Sequence, residues 1–275
     1  MLEGMNNKEI THLCCFDSSK CFDTIDHNLL LRKLNKYGIR NIELSWFASY
    51  LKSRKHCVLC NGTLSSLIEN IVGVPQGSNL GPLLFLLFSN DIPNCLTTSS
   101  CNLYADDTII YMSGKDPDLV QMALQHDVNR LIKWFEHNKL TLNVEKSCTI
   151  SMGTRQKLNS ICLDDISING TALSKVNQAK YLGVTIDKTL NWEAHINNLC
   201  IKISPKVELL RRIKYKLNKA QLIDIYGSII QPHIDYCITL WGYAADIHIN
   251  KIQKFKTELL GSSLIIMTGP QVATL

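Results

Sequence analysis

The sequence predicts an α+β protein in which strands and helices mix up to about residue 190 and helices alone follow. Three observations predict this class. Short, largely apolar runs at Leu13-Cys14-Cys15-Phe16, Asn102-Leu103-Tyr104-Ala105 and Thr108-Ile109-Ile110-Tyr111-Met112 have the length and β-rich composition of strands. Between Asp118 and His137, Val120, Leu124, Val128, Leu131, Ile132 and Phe135 recur at the spacing of an amphipathic helix. From Trp192 the pattern turns helical through Ile196, Leu199, Ile203, Val207 and Leu210, and helical signals continue to about Leu260.

Taken in order, the first strand ends in Asp17 and presents a carboxylate at its tip. Asp26 is placed to cap a helix carrying Leu29, Leu30, Leu34 and Tyr37, which Gly38 closes. A second helix spans Asn41 to Leu51. His56 to Cys60 and Ser66 to Val72 read as strands around an Asn61-Gly62 turn. Gly73-Val74-Pro75-Gln76-Gly77-Ser78 is loop chemistry before a buried helix from Leu80 to Leu87. Strands are expected near Cys148 to Met152, Ile161 to Ile168 and Lys180 to Ile186. Pro205 should kink or split the helix that starts at Trp192, and residues 261–275 show no periodicity.

With 275 residues, 45% of them hydrophobic, the chain can bury a substantial core. No window offers the apolar stretch of a membrane span and no basic-then-apolar leader opens it, so it reads as intracellular and soluble. Its 11 cysteines are scattered, with Cys14, Cys15, Cys148 and Cys162 inside apolar runs, which suits buried reduced thiols rather than a disulfide scaffold. Cys57 and Cys60 form a lone CxxC without a second pair or a spaced His, too little for a zinc site. The charge is +5 overall, yet Lys202 to Lys219 alone sums to +6, a belt suited to phosphate backbones or to a solvated helix face.

Asp106 and Asp107 lie between two strand-like runs, which places both acids at a hairpin tip. Adjacent carboxylates on an apolar hairpin repel and resist desolvation unless a cation sits between them. Oxygen donors of this kind suit Mg²⁺ sites that handle phosphates, although Asp-Asp at a turn is also ordinary turn chemistry. Asp17 at a strand end is equally ordinary when alone. Together the three supply what two-metal nucleotidyl transfer needs, carboxylates from different strands brought to one point.

Four segments occur in order: Phe16-Asp17-Ser18-Ser19-Lys20-Cys21-Phe22-Asp23-Thr24-Ile25-Asp26-His27, Gly73 to Leu83 around Pro75-Gln76-Gly77, Tyr104-Ala105-Asp106-Asp107, and Tyr181-Leu182-Gly183-Val184. Together, over about residues 10 to 255, the chain resembles the reverse transcriptases of non-LTR retrotransposons, the jockey-like and CR1-like elements foremost. The resemblance implies a right-hand polymerase palm, an antiparallel sheet with packed helices, followed by an all-helical thumb. It implies RNA-directed DNA synthesis from an RNA template, a DNA primer and dNTPs, with two Mg²⁺ ions, for which Mn²⁺ can substitute. The implied alternative is an inactive truncated remnant that binds nucleic acid without polymerising.

By the same resemblance, Asp17, Asp106 and Asp107 match the metal-binding aspartates, and Phe22 matches the aromatic gate under the sugar. Gln76 and Gly77 match the loop that touches template and nucleotide, and Lys146 the lysine near the triphosphate, a surface lysine being the bland reading of that position. Tyr181, Leu182 and Gly183 match the primer grip. Lys202, Lys206, Arg211, Arg212 and Lys214 fall where the thumb follows the nucleic-acid backbone. Asp23, Asp26, His27 and Asp91 are read as caps and surface polar groups.

The expected domains are partial fingers and palm over 1–175, the primer-grip hairpin over 176–190, thumb over 191–260 and a divergent tail over 261–275. The family's upstream basic fingers segment and its endonuclease are absent from the sequence, so an N-terminally truncated fragment is expected. A nuclear location follows from the resemblance alone.

Overall fold

The computed structural model describes residues 2–18 and 20–260; the expectation for 261–275, and Ser19 of the first motif, lie outside the described residues. The chain divides into two compact units, Met1–Val176 and Asn177–Leu275. Among the described residues no helix is long and apolar enough to cross a membrane.

The first unit opens with α1 (Leu2–Asn6), β1 (Ile10–Ser18) and the single turn α2 (Cys21–Thr24). Next come α3 (His27–Lys36) and α4 (Asn41–Leu51). Asp26 caps α3 by accepting from the Leu29 N–H at 2.9 Å, and Gly38, at φ +94°, ends that segment as expected. The expected pair of strands around Asn61-Gly62 is instead four two-residue strands, β2 (Lys55–His56), β3 (Leu59–Cys60), β4 (Thr63–Leu64) and β5 (Ile68–Glu69). Val58, Leu59, Leu64, Leu67 and Ile68 are all exposed there, so the turn forms but no core extends the ladder.

Then follow α5 (Leu80–Ser89), the hairpin of β6 (Ser100–Tyr104) and β7 (Asp107–Gly114), the long α6 (Pro117–His137), and β8 (Leu142–Met152). The unit finishes with α7 (Arg155–Asn159), β9 (Ser167–Ile168), β10 (Thr171–Ala172) and β11 (Ser174–Lys175). Most of the strand expected over Ile161 to Ile168 does not form. Leu163 and Ile166 are buried, but β8 is already paired with β1 on one side and β11 on the other, so β8 offers them no free edge.

Five strands form the main sheet in the order β11-β8-β1-β7-β6. Alternation along β1 sends Cys14 and Phe16 to one face and Leu13, Cys15 and Asp17 to the other. The Cys14–Phe16 face, with Ile110 of β7, packs into a core with Leu30 and Leu34 of α3, Leu84 and Phe88 of α5 and Leu124, Val128 and Leu131 of α6. Helices thus cover the face opposite the one that carries Asp17. Each fully buried Leu or Phe there contributes about 1.5–3 kcal/mol.

The second unit begins with the hairpin of β12 (Gln178–Tyr181) and β13 (Val184–Asp187), then α8 (Glu193–Ile213), α9 (Lys219–Ile229), α10 (Gln231–Asp235), α11 (Ile238–Trp241) and α12 (Asp246–Leu260). Ile196, Ile203, Val207 and Leu210 of α8 pack with Tyr226, Ile234, Trp241 and Ile252 in a separate core. Pro205 does not split α8, which continues through it. The turn that loses its hydrogen bond is the exposed one, with Ile201 and Pro205 both open to water, and the Ser204 hydroxyl donates to the Cys200 carbonyl at 2.6 Å beside it.

Candidate active site

Asp17 stands near the C-terminal end of β1, and the β1–β7 register pairs Phe16 with Thr108, so the next rung sets Asp17 beside Asp107 on the same face. The hairpin closes with Tyr104 opposite Asp107, leaving Ala105 and Asp106 as its turn. Ala105 adopts φ +51°, the left-handed conformation that a two-residue hairpin demands at its first position. Asp106 is exposed at the tip and Asp107 half-buried. Burial first, then the neighbouring Asp106 and Asp17 charges, push the Asp107 carboxyl above its ordinary value. Asp107 therefore senses both of the other acids.

A break in the β1–β8 ladder lies directly beside Asp17. Cys15 pairs with Cys148, but Asp17 pairs with Asn143, so β8 spends extra residues on that short interval and arches out. The arch carries Lys146, whose Nζ comes to 3.8 Å from Asp17 Oδ2, and Ser147, whose hydroxyl accepts the Asp17 N–H at 3.3 Å. Ser147 in turn donates to the Asn143 carbonyl at 2.7 Å. Sequence reasoning missed Ser147, which carries no signal until the register is known.

Phe22 lies on α2, stacked on Phe85 with ring centroids 4.5 Å apart. Its neighbour Cys21 is held above the usual thiol range by burial first, with Asp106 and Asp17 adding to the effect, which puts α2 within reach of the acids. The Gly73–Gly77 loop is tied to the same segment: Gly73 N–H donates to the Ile25 carbonyl at 2.7 Å and Val74 N–H to that of Phe22 at 2.8 Å. Gly73 has φ +83°, and a Cβ there would meet the Asp23 carbonyl oxygen at 2.7 Å. Gln76 Nε2 donates to Asp23 Oδ1 at 2.7 Å, so Asp23, read from sequence as a surface group, orients Gln76. Asp26 and Asp91 are ion-paired at 2.7 Å with Lys139 and Lys33, and His27 bonds the Gly73 carbonyl.

In the second unit the Tyr181–Val184 segment is a hairpin turn, with Leu182 and Gly183 at φ +46° and +81°. Tyr236 donates its hydroxyl to the Leu182 carbonyl at 2.6 Å and its ring backs Gly183. Lys180, Gly183 and Lys202 line one cavity of about 480 Å³ with Asn198, His195 and His233. The belt is not wholly open to ligands. Arg211 pairs with Glu208 at 3.0 Å and Glu258 at 2.5 Å, Arg212 with Glu208 at 3.2 Å, and Lys206 with the Ile229 carbonyl and His233. Among the described residues Lys202 and Lys214 carry no ion pair.

Residues 3–186 match the family described as reverse transcriptase (RNA-dependent DNA polymerase). The chain belongs to the reverse transcriptase family. It is 30% identical to the RNA-directed DNA polymerase from mobile element jockey of Drosophila melanogaster, over 94% of this chain and 29% of that protein. It is 27% identical to the probable RNA-directed DNA polymerase from transposon X-element of the same organism, with the same coverage of 94% and 29%. The chain thus spans 29% of the length of these reverse transcriptase relatives. Its fold is similar to that of a telomerase from Candida albicans solved with a fragment of telomeric RNA, at a TM-score of 0.54 and 12% identity over 92% of this chain and 48% of that one. The fold class is that of a polymerase palm followed by a helical region.

The reverse transcriptase family uses divalent metal, and the donor set fits such an ion. No group of three or more His, Cys, Asp or Glu among the described residues closes into a metal cage. Mg²⁺ does not require one, because it keeps several waters and binds through one or two carboxylates together with substrate phosphates. Water-accessible oxygen donors, with burial and then the neighbouring charges pushing the Asp107 carboxyl upward, are the arrangement such an ion relieves.

Proposed function

We propose that this chain carries out RNA-directed DNA synthesis, transferring a nucleotide from a dNTP to a primer 3′-hydroxyl on an RNA template. The observation that carries the reading is the juxtaposition of Asp17 on β1 with Asp107 and Asp106 at the adjacent hairpin tip, on the sheet face opposite the helical core. Asp17 and Asp106 would hold two Mg²⁺ ions, or Mn²⁺ in their place, with Asp107 completing the acidic surface. Bound there, the ions supply activation of the hydroxyl and neutralisation of charge building on the α-phosphate.

The chain's own residues do the rest. Lys146, alongside Asp17, donates a proton toward the leaving pyrophosphate oxygen. Phe22 presents a ring where a 2′-hydroxyl would have to sit, braced by Phe85. Gln76, held by Asp23, and Gly77 meet the template and the incoming nucleotide. In the second unit the Tyr181–Gly183 turn positions the primer, and Lys202 and Lys214 follow its backbone phosphates with Lys206, Arg211 and Arg212 behind them. Palm over 1–175, grip over 176–190 and thumb over 191–260 belong to this same reading, as does a nuclear location.

The test is primer extension by the purified chain on RNA and DNA templates, with Mg²⁺ and with Mn²⁺. Extension that follows the RNA template and stops without divalent metal supports the proposal. Salt-sensitive binding to RNA·DNA duplex without any extension leaves the non-enzymatic alternative in its place. Addition without a template points to a different palm enzyme.

A further inference from the structure

The sequence expectation of buried thiols fails at three positions. Only Cys14 of the four named is buried; Cys15 and Cys148 are half-exposed and Cys162 is exposed. Cys15 and Cys148 are also directly opposite one another on adjacent antiparallel strands, the last regular rung before the β8 arch. As directly paired residues, they send both side chains to the same face of the sheet. Directly opposed residues of an antiparallel pair have Cα atoms ~4.5–5.5 Å apart. That lies within the roughly 4.4–6.8 Å that a disulfide spans.

We propose that Cys15 and Cys148 are a reversible modification site, a cross-strand dithiol on the sheet face of Asp17 that closes to a disulfide by exchange with a small-molecule disulfide such as glutathione disulfide. The Cys148 thiolate attacks one sulfur of that disulfide and expels the other half as a thiolate, leaving a mixed disulfide on Cys148. The Cys15 thiol loses its proton and attacks the Cys148 sulfur, expelling the second thiolate. Two protein thiols are oxidised to one S–S bond, and the small disulfide is reduced to two thiols. Attack by Cys15 first would give the same bond and the same balance.

Closure bears on the acidic face through one residue. Ser147, next to Cys148, accepts the Asp17 N–H, so a covalent rung at Cys15–Cys148 fixes the base of the arch on which Lys146 and Ser147 stand. Intracellular disulfides of this sort are reversible rather than structural.

The experiment treats the folded, reduced chain with excess glutathione disulfide near neutral pH, blocks remaining thiols, digests, and maps linked peptides by mass spectrometry without reduction. The expected result is a peptide pair lighter by two hydrogens joining Cys15 to Cys148, at least tenfold more abundant than any other pair and reversed by a thiol reductant. The link should vanish in Cys148→Ser and in Cys15→Ser and persist in Cys14→Ala. Fragmentation of the linked wild-type peptide places the bond at Cys15 or Cys14 directly, so a variant that fails to fold does not remove the test. The proposal is overturned if both thiols stay alkylated, if the reaction halts at glutathione on Cys148, if the bond maps to Cys14, or if the link forms only in urea.

Discussion

Lys146 Nζ lies 3.8 Å from Asp17 Oδ2, and it reaches that position because β8 arches away from β1 between Cys148 and Asn143. In a regular ladder the residues of this stretch would be spaced along the strand. The extra length instead folds a cation over a carboxylate that already has two acidic neighbours. The two side chains are 70% and 38% exposed, so the pair contributes about 0–1 kcal/mol to stability and is not there to hold the fold.

That contrast makes the first prediction. Lys146→Ala should slow nucleotide incorporation by roughly a hundredfold, the scale of a lost general acid, while the unfolding midpoint stays the same. Lys146→Arg keeps the charge but has no proton to give near neutral pH, so it should recover little of the rate. Single-turnover incorporation by both variants is the measurement, and full recovery by arginine would leave only an electrostatic role.

The acids themselves should behave oppositely in activity and stability. Asp17→Asn and Asp106→Asn should each cut primer extension by at least about a hundredfold. Neither should lower the unfolding temperature in the absence of divalent metal. A raised Asp107 pKa means that its contribution is fully present below the unfolded-state pKa and is lost as pH rises through the folded value. At neutral pH the ionised Asp107 is therefore a cost, through burial first and then the neighbouring charges, and removing Asp17 or Asp106 relieves the second part. Mg²⁺ should raise the wild-type unfolding temperature and do so far less in Asp17→Asn, which calorimetry with and without the ion would read.

How much of this was readable from residues alone depends on distance along the chain. The Asp106-Asp107 hairpin and the strand ending at Asp17 were legible because alternation and turn chemistry act over a few residues. Asp26 as a cap and Gly38 as a stop were legible for the same reason. The β8 arch was not, since it exists only in the pairing of β1 with a strand more than a hundred positions away. Nor was the pairing of Arg211 with Glu258, which leaves the basic belt more internally satisfied than its charge count implies. Asp127 does leave a trace in the sequence: it sits three residues after Leu124 and one before Val128, on the apolar face of α6, where an unpaired acid has no place.

Asp127 explains itself once Thr97, Thr98 and Ser99 are placed around it. The carboxylate accepts the backbone N–H of all three, at 3.0, 2.9 and 2.7 Å, and both threonine hydroxyls, at 2.6 and 3.0 Å. Burial works against the charged form, but these bonds outweigh it and hold the carboxyl well below its ordinary range. Asp127→Ala should cost about 3 kcal/mol by stranding buried donors. Because the folded pKa is depressed, this stabilisation is present above the unfolded-state value, about 3.9, and is lost as pH falls below it. Urea denaturation at pH 7 and near pH 3 should show the gap between wild type and variant narrowing at the lower pH.

His12 should dominate a different window. It is fully buried in β1, its Nδ1 bonded to the Ser151 hydroxyl at 2.7 Å and its Nε2 without a hydrogen-bond partner. Burial first, and then the Lys175 charge, lower its pKa to about 4. The folded protein thus keeps the ring neutral where the unfolded chain, at about 6.5, takes up a proton. Stability should therefore decline as pH falls from about 6.5 to 4, by up to about 1.4 kcal/mol per unit, and level off below. His12→Gln keeps a hydrogen-bonding group in the same position but cannot titrate. Its unfolding free energy should be flat across that interval, after allowance for the other histidines, and a slope as steep as that of the wild type would place the titration elsewhere.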